Sequence, residues 1–417
     1  MFEIKPLRVL VEKQTGGGTP SRHESVFWNG DIPWASVKDF NDNELKISCT
    51  EESITEKGLQ SSASNLIPSG VPLVCTRMAV GRTAITTCPM AINQDVKALF
   101  PADGVHAGYL LRLLKFIQIK ADEQSIGSTV KGIRIQDYLD IPVPVAPENE
   151  QPIIDHYLEI LDTNTRQTEA IIAKLQQVKK GLLHDLLTRG IDDSGQLRPP
   201  QHLAPELYKD SPLGWIPKEW KISTLTEICS DIVDCPHSTP VYQDEGVLVA
   251  RTMHIKEGQF LENLASKVSE ASYKKRILRL EPQEGDVIFT REAPVGEAFV
   301  IPANMKVCLG QRVMILRPKT DSLCGEFLVA QIYSGQIKDR IKMLTAGTTN
   351  PHLNVAEVRN FLMPSPALAE QKNISSRINA LNLKIRLEIV RFNKLKKQKS
   401  GLMNDLLTGK VRVTSLL

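Results

Sequence analysis

The residues that could do chemistry are few and do not assemble into a catalytic set. Cys229, Cys235 and His237 lie close together, but a C-x5-C-x-H spacing departs from the usual zinc-ligand patterns and suits a loop. Asn350-Pro351-His352-Leu353 lacks the second proline and the aromatic of the Asn-Pro-Pro-Tyr/Phe pocket that holds an amino group for methyl transfer. The run Gly16-Gly17-Gly18-Thr19-Pro20 lacks the lysine of a phosphate loop, and no Gly-x-Ser-x-Gly elbow occurs. What remains is binding chemistry. Thr19, Arg22, Lys38, Arg77 and Arg82 in the first half, and Thr239, Arg251, His254, Lys274 and Arg291 in the second, fall in loops or at expected strand ends. Side chains of these types can donate to phosphates or to base edges in a groove. Arg77 and Arg291 are alike in both halves, so they suit phosphate positioning or, equally, a structural ion pair. Arg391 to Lys399 carries five Lys or Arg and no acid, as a solvated helix face or a phosphate contact would.

The elements that must position these residues come in two copies. Glu150 to Thr188 aligns without a gap on Glu370 to Thr408, and fourteen of the 39 aligned positions are identical. Average composition would give about two. Both stretches open on Glu-Gln (Glu150-Gln151, Glu370-Gln371) and close on Gly-Leu-x-x-Asp-Leu-Leu-Thr (Gly181 to Thr188, Gly401 to Thr408). The correspondence extends upstream with drifting offset. Gly127-Ser128-Thr129 answers Gly347-Thr348-Thr349, Val74 to Arg77 answers Ile288 to Arg291, Gln94 to Leu99 answers Gln311 to Leu316, and Thr19-Pro20 answers Thr239-Pro240. Duplication fixes the order: globular unit, long helix, globular unit, long helix.

Within the long segments the apolar residues recur every three or four positions. Ile154, Leu158, Leu161, Ile172, Leu175, Leu182 and Leu186 mark the first seam, with Thr165 and Thr168 interrupting it. Ile374, Ile378, Leu381, Ile385, Phe392, Leu395, Leu402 and Leu406 mark the second. This is a coiled-coil pattern, and ~38 residues at ~1.5 Å each make a rod of roughly 57 Å. Should the matching seams pack together, the helices run antiparallel and carry the globular units at opposite ends about an approximate twofold axis. A glycine inside a helix costs about 1 kcal/mol relative to alanine. Gly181 and Gly401 therefore point to close backbone approach, between the two helices or to another protein. The globular units read as mixed α+β. Leu73 to Thr76, Val287 to Thr290 and Arg312 to Leu316 are strand candidates, and the segments around Tyr109 to Leu114 and Phe327 to Tyr333 are short helices. The expected divisions are 1–148, helix 149–190, linker 191–217, 218–367, helix 368–410 and tail 411–417.

A chain of 417 residues has room for several cores, and 41% apolar with 24% charged residues is ordinary for a soluble protein. No apolar run approaches the ~18 residues of a membrane span. Seven cysteines without a CxxC pair point to reduced thiols, and together with the absence of a signal peptide to a cytoplasmic location. A net charge of +3 permits a nucleic-acid partner without demanding one.

Tyr208-Lys209-Asp210-Ser211-x-x-Gly214-Trp215-Ile216-Pro217-Lys218-x-Trp220 resembles the lead-in to a target-recognition domain of type I restriction–modification specificity subunits, bacterial or archaeal. The two Gly-Leu-x-x-Asp-Leu-Leu-Thr segments, the second continuing through Gly409-Lys410-Val411, resemble that family's central and C-terminal conserved regions. Residues 1 to 10 depart from the pattern in lacking the Trp-Ile-Pro-x-x-Trp lead-in. The resemblance implies a non-catalytic subunit whose two recognition domains each bind half of a split, asymmetric DNA sequence. It implies that the helices, through residues such as Leu175, Gly181, Leu182, Leu186, Leu395, Gly401, Leu402 and Leu406, set the gap and dock two methyltransferase subunits. Restriction subunits would join through those, with S-adenosylmethionine and ATP bound by the partners and none by this chain. The competing reading is a two-headed scaffold on a coiled-coil spacer with no DNA involved.

Overall fold

The computed structural model of the chain describes residues 1–42, 44–127, 131–333, 335–347 and 351–414. Ser128, Thr129, Val130, Thr348, Thr349 and Asn350, which carry part of the repeat and of the loop tetrapeptide, lie outside that set. Two compact units result. The first is Met1–Glu169 with Val390–Leu417, and the second is Ala170–Ile389. The two long helices, Gln151–Thr188 and Leu368–Leu407, therefore each contribute to both units.

The globular part of the first unit is built on a five-stranded sheet in the order Val11–Gly16, Val96–Pro101, Pro72–Cys75, Thr83–Thr86, Lys46–Ile47. A second sheet runs Glu52–Ile54, Trp28–Ala35, Met90–Ile92, Leu66–Ile67. In the second unit, Cys229–Asp234, Val313–Pro318, Val287–Thr290 and Ala298–Val300 repeat the first four strands of the larger sheet in the same order. A three-stranded sheet of Lys267–Val268, Val247–Ala250 and Val307–Leu309 stands beside it. The 287–290 strand is buried along its whole length, so it reads as continuous Val-Ile-Phe-Thr rather than an alternating pattern. A short helix, Ala107–Phe116 in one unit and Gly325–Ile332 in the other, covers each larger sheet.

The repeated Glu-Gln dipeptide fastens each globular domain to its helices. Gln151 accepts from the His106 amide (2.9 Å) at the start of one short helix and donates to Ala146 O (3.0 Å). Gln371 accepts from the Cys324 amide (2.9 Å) at the start of the other and donates to Ser322 O and Pro366 O. Both glutamines are fully buried, so these bonds replace the water they lose. The preceding glutamate receives the chain leaving the other helix. Glu150 binds Arg412 and the Val413 amide, while Glu370 binds Arg198 and the Ile191 amide (2.8 Å). Trp220 donates its indole N–H to Glu370 (3.1 Å) and lies against Gly190; Phe2 lies against Gly409 in the first unit. Phe2 thus stands where the lead-in motif of the second domain has its tryptophan.

Inside each unit the helices pack antiparallel. Ile154 and Leu158, early in the first helix, share a core with Leu402, Leu406 and Leu407, late in the second. Leu182, Leu183, Leu186 and Leu187 share another with Ile374 and Ile378. Thr165 and Thr168 bond their hydroxyls back to the carbonyls of Leu161 and Asn164, so the polar interruptions are satisfied within the helix. The glycines correct one expectation. A Cβ at Gly181 or Gly401 would meet nothing within 4 Å, so neither marks close approach of the helices. Both glycines are exposed.

Candidate nucleic-acid interface

The glycine run at the end of the Val11–Gly16 strand is there for packing. A Cβ on Gly17 would fall 1.8 Å from Ile92 O, and one on Gly18 would collide with Ala63. Closing that gap lets Gly18 O accept from Trp34 Nε1 (3.0 Å) and Ser64 Oγ (2.6 Å), which fixes the loop that presents Thr19. Thr19 Oγ1 then donates to Gln94 Oε1 at 2.6 Å. In the second unit Thr239 Oγ1 accepts from Gln311 Nε2 at 2.9 Å. Thr19, Gln94 and Thr239 are exposed and Gln311 is half-buried. A threonine–glutamine pair therefore stands at the same place on both domains. Glutamine offers the paired donor and acceptor that an adenine edge matches. Gln94 and Gln311 were visible in the sequence only as aligned positions; opposing the two Thr-Pro steps was their signal.

Most of the sequence-selected cations already face acids of their own domain. Arg22 lays its guanidinium 3.9 Å from the Trp28 ring and binds Glu52 (Nη2–Oε2 2.9 Å). That hydrogen bond raises the arginine's pKa and holds the Glu52 carboxyl below its ordinary range. Lys38 is 3.3 Å from Glu51, Arg77 is 3.5 Å from Asp95, and Arg82 is 3.2 Å from Asp42. The Gln118 amide, followed by Lys115 and Arg82, keeps the Asp42 carboxyl low. Lys38 and Arg77 remain largely exposed, so their charges still face solvent.

In the second unit the cations divide differently. Arg291 is mostly buried and bonded to Asp234 (2.9 Å) and Leu353 O (3.3 Å), which makes it the structural member of its aligned pair. Arg251 is half-buried with its guanidinium 5.3 Å from the Tyr242 ring. His254 has to be withdrawn as a surface contact. It is 2% exposed, its Nδ1 lies 3.2 Å from Val249 O, and burial lowers its pKa, so it is a neutral core histidine. Lys274 and Lys275 stand exposed in the last turn of the helix Glu270–Arg276, and neither has a carboxylate within ion-pair distance among the described residues. Arg276, buried beside them, donates to the carbonyls of Leu309, Ser238 and Pro236. It ties the loop before Thr239 to that helix. Cys235 is buried and accepts from the Arg312 amide, and His237 lies 3.3 Å from Asp234. Along the long helices, Leu186 and Leu406 are buried, while Leu175, Leu182, Leu395 and Leu402 are partly buried.

What the arrangement offers is two like platforms with unlike loops. Each holds a Thr–Gln pair at its surface, and exposed cations stand on the same unit, Arg22 and Lys38 on the first and Lys274 on the second. The sequence model of the family described as the type I restriction modification DNA specificity domain matches twice, over residues 2–177 and 217–397. The MjaIX specificity subunit of Methanocaldococcus jannaschii is 25% identical over 429 residues, spanning 100% of this chain and 94% of that one. The EcoR124I/EcoR124II specificity subunit of Escherichia coli is 30% identical over 178 residues, 41% of this chain and 44% of that one. The solved S subunit of a type I restriction–modification system from M. genitalium superposes with a TM-score of 0.62 at 14% identity, covering 98% and 96% of the two chains. With both halves of the chain matched by one sequence model, this protein belongs to the type I restriction–modification DNA specificity family.

Proposed function

We infer that each globular domain reads one half of a bipartite, asymmetric DNA target, and that this subunit performs no chemistry itself. The observation that carries the reading is the recurrence of one platform, with its exposed Thr–Gln pair, beneath loops that differ between the two copies. A shared scaffold with different loops is how one chain would read two unlike short sequences. Lys38, Arg77 and Lys274 supply phosphate contacts, and the Thr–Gln pairs approach base edges.

The long helices set the number of unread base pairs and dock two methyltransferase subunits, through which restriction subunits join. Gly181 and Gly401 support the docking role. Each is a repeated, exposed glycine with open space above it, and each leaves a flat place where a partner's backbone can approach. Adenine methylation and its S-adenosylmethionine, and ATP-dependent cleavage, belong to those partners, in the cytoplasm where the DNA is. Among the described residues no helix is long and apolar enough to cross a membrane.

The test is DNA binding by the chain assembled with its methyltransferase partner, across a salt series. Specific binding whose affinity falls steeply with salt is expected. No binding, or salt-insensitive binding, favours the two-headed scaffold without DNA.

A further inference from the structure

The two units differ at one buried place where the repeat should make them alike. In the first unit, the Arg112 side chain is 2% exposed and lies among three carboxylates of the first long helix. Its Nε is 2.9 Å from Asp155 Oδ1, its Nη2 is 2.7 Å from Glu159 Oε2, and Nη1 bonds Asp162. Lys399 of the second long helix also pairs with Asp162, Lys46 with Glu159 at 2.7 Å, and Arg166 with Glu159 at 3.7 Å. Three carboxylates face four cations here, and every one of those cations has a carboxylate partner.

At the offset of 220 residues, the second unit keeps two of these cations and loses every acid. Lys399 corresponds to Lys179 and Arg166 to Arg386, while Asp155, Glu159 and Asp162 become Ser375, Asn379 and Asn382. The amides of His106 and Cys324 are held by equivalent glutamines, which makes Ala330 the counterpart of Arg112. Removing the arginine side chain and the acids leaves a cavity of about 490 Å³, walled by Ala330, Asn379, Asn382, Lys179 and Arg386. Lys180 and Lys338 add positive charge to its wall. Glu257 and Glu326 also line it, yet among the described residues no carboxylate comes within ion-pair distance of any of the four cations. Burial depresses the Lys179 pKa, and Glu257 only partly offsets that.

We propose that this cavity binds a compact oxyanion, a phosphate or carboxylate group on a small molecule. The oxyanion occupies the position that the acids hold in the first unit, between Lys179 and Arg386, and the Asn379 and Asn382 amides donate to it. In the first unit the same two cation positions pair with carboxylate oxygens, Lys399 with Asp162 and Arg166 with Glu159, which is the chemistry the second unit's cavity would offer. The volume lies in the range of small-ligand sites.

The first unit also supplies the control. Asn379→Glu with Asn382→Asp restores the acids that its own repeat carries there, and Lys179→Met removes one cation without adding charge. Full-length protein is titrated with inorganic phosphate and, separately, with citrate, against sodium chloride of equal ionic strength, following heat release and Tm. Saturable binding of at least one anion by the unmodified chain is expected, weakened at least tenfold in both variants. Response to phosphate alone assigns a phosphate ligand, and response to citrate alone a carboxylate one. No saturable response to either, or an undiminished one in Lys179→Met, overturns the proposal. DNA binding need not enter these titrations, so their outcome is independent of the recognition reading.

Discussion

At the level of single residues, the exposed threonine–glutamine pairs carry the recognition argument. Losing a glutamine that bonds a base edge costs about 1–3 kcal/mol of discrimination at that base pair. Gln94→Ala should therefore relax recognition in one half-site only, and Gln311→Ala in the other, as read by methylation of a randomised target library. His254 belongs to stability instead. Its folded pKa lies below the unfolded value of about 6.5, so the folded state resists protonation. Stability from the neutral ring is complete above that pH and declines as the pH falls through it. His254→Gln should flatten that decline, measured by urea midpoints between about pH 7.5 and 5.5. Charge pairings were the part least visible in the sequence. Arg22 and Glu52 are 30 residues apart and Arg291 and Asp234 are 57 apart, and only the folded sheets bring them together. The similar surroundings of Arg77 and Arg291 in the sequence, each after a threonine and closely before Ala and Val-Gly, hid that one faces solvent and the other is locked inside.

At the level of elements, the long helices were legible because their burial follows the three-and-four spacing of the apolar residues. Their glycines were misread for a physical reason. Sequence shows that a glycine is present at a cost, but not which neighbour, if any, approaches it. With helical backbone and empty space around it, Gly181→Ala should stabilise the isolated chain by up to about 1 kcal/mol. Chemical denaturation would measure that gain, while weakened assembly with the methyltransferase would reveal the docking role. The Glu-Gln dipeptides were seen as a repeat without a reason, since their partners are main-chain groups that no motif encodes. Gln371→Ala would leave three backbone groups, the part-buried Cys324 N and Ser322 O and the buried Pro366 O, without that partner. A loss of about 1–3 kcal/mol in unfolding free energy is expected. Four residues inserted near Thr165 should change the length of the gap in the methylated sequence and leave both half-sites as they were.

At the level of the whole molecule, duplication was the strongest signal because a repeat constrains architecture before any local element is assigned. The same duplication exposes where the copies part. Loops around Thr19 and Thr239 differ while their platforms agree, and the acids beside Arg112 have no counterpart beside Ala330. Function follows from that division between constant and variable parts: two separate readers on one chain. The most direct measurement replaces residues 1–148 with those of a relative and maps modified adenines in cells that express the hybrid with its methyltransferase. One half of the methylated sequence should change while the other half and the gap stay the same. A change in both halves, or in neither, would contradict separate reading.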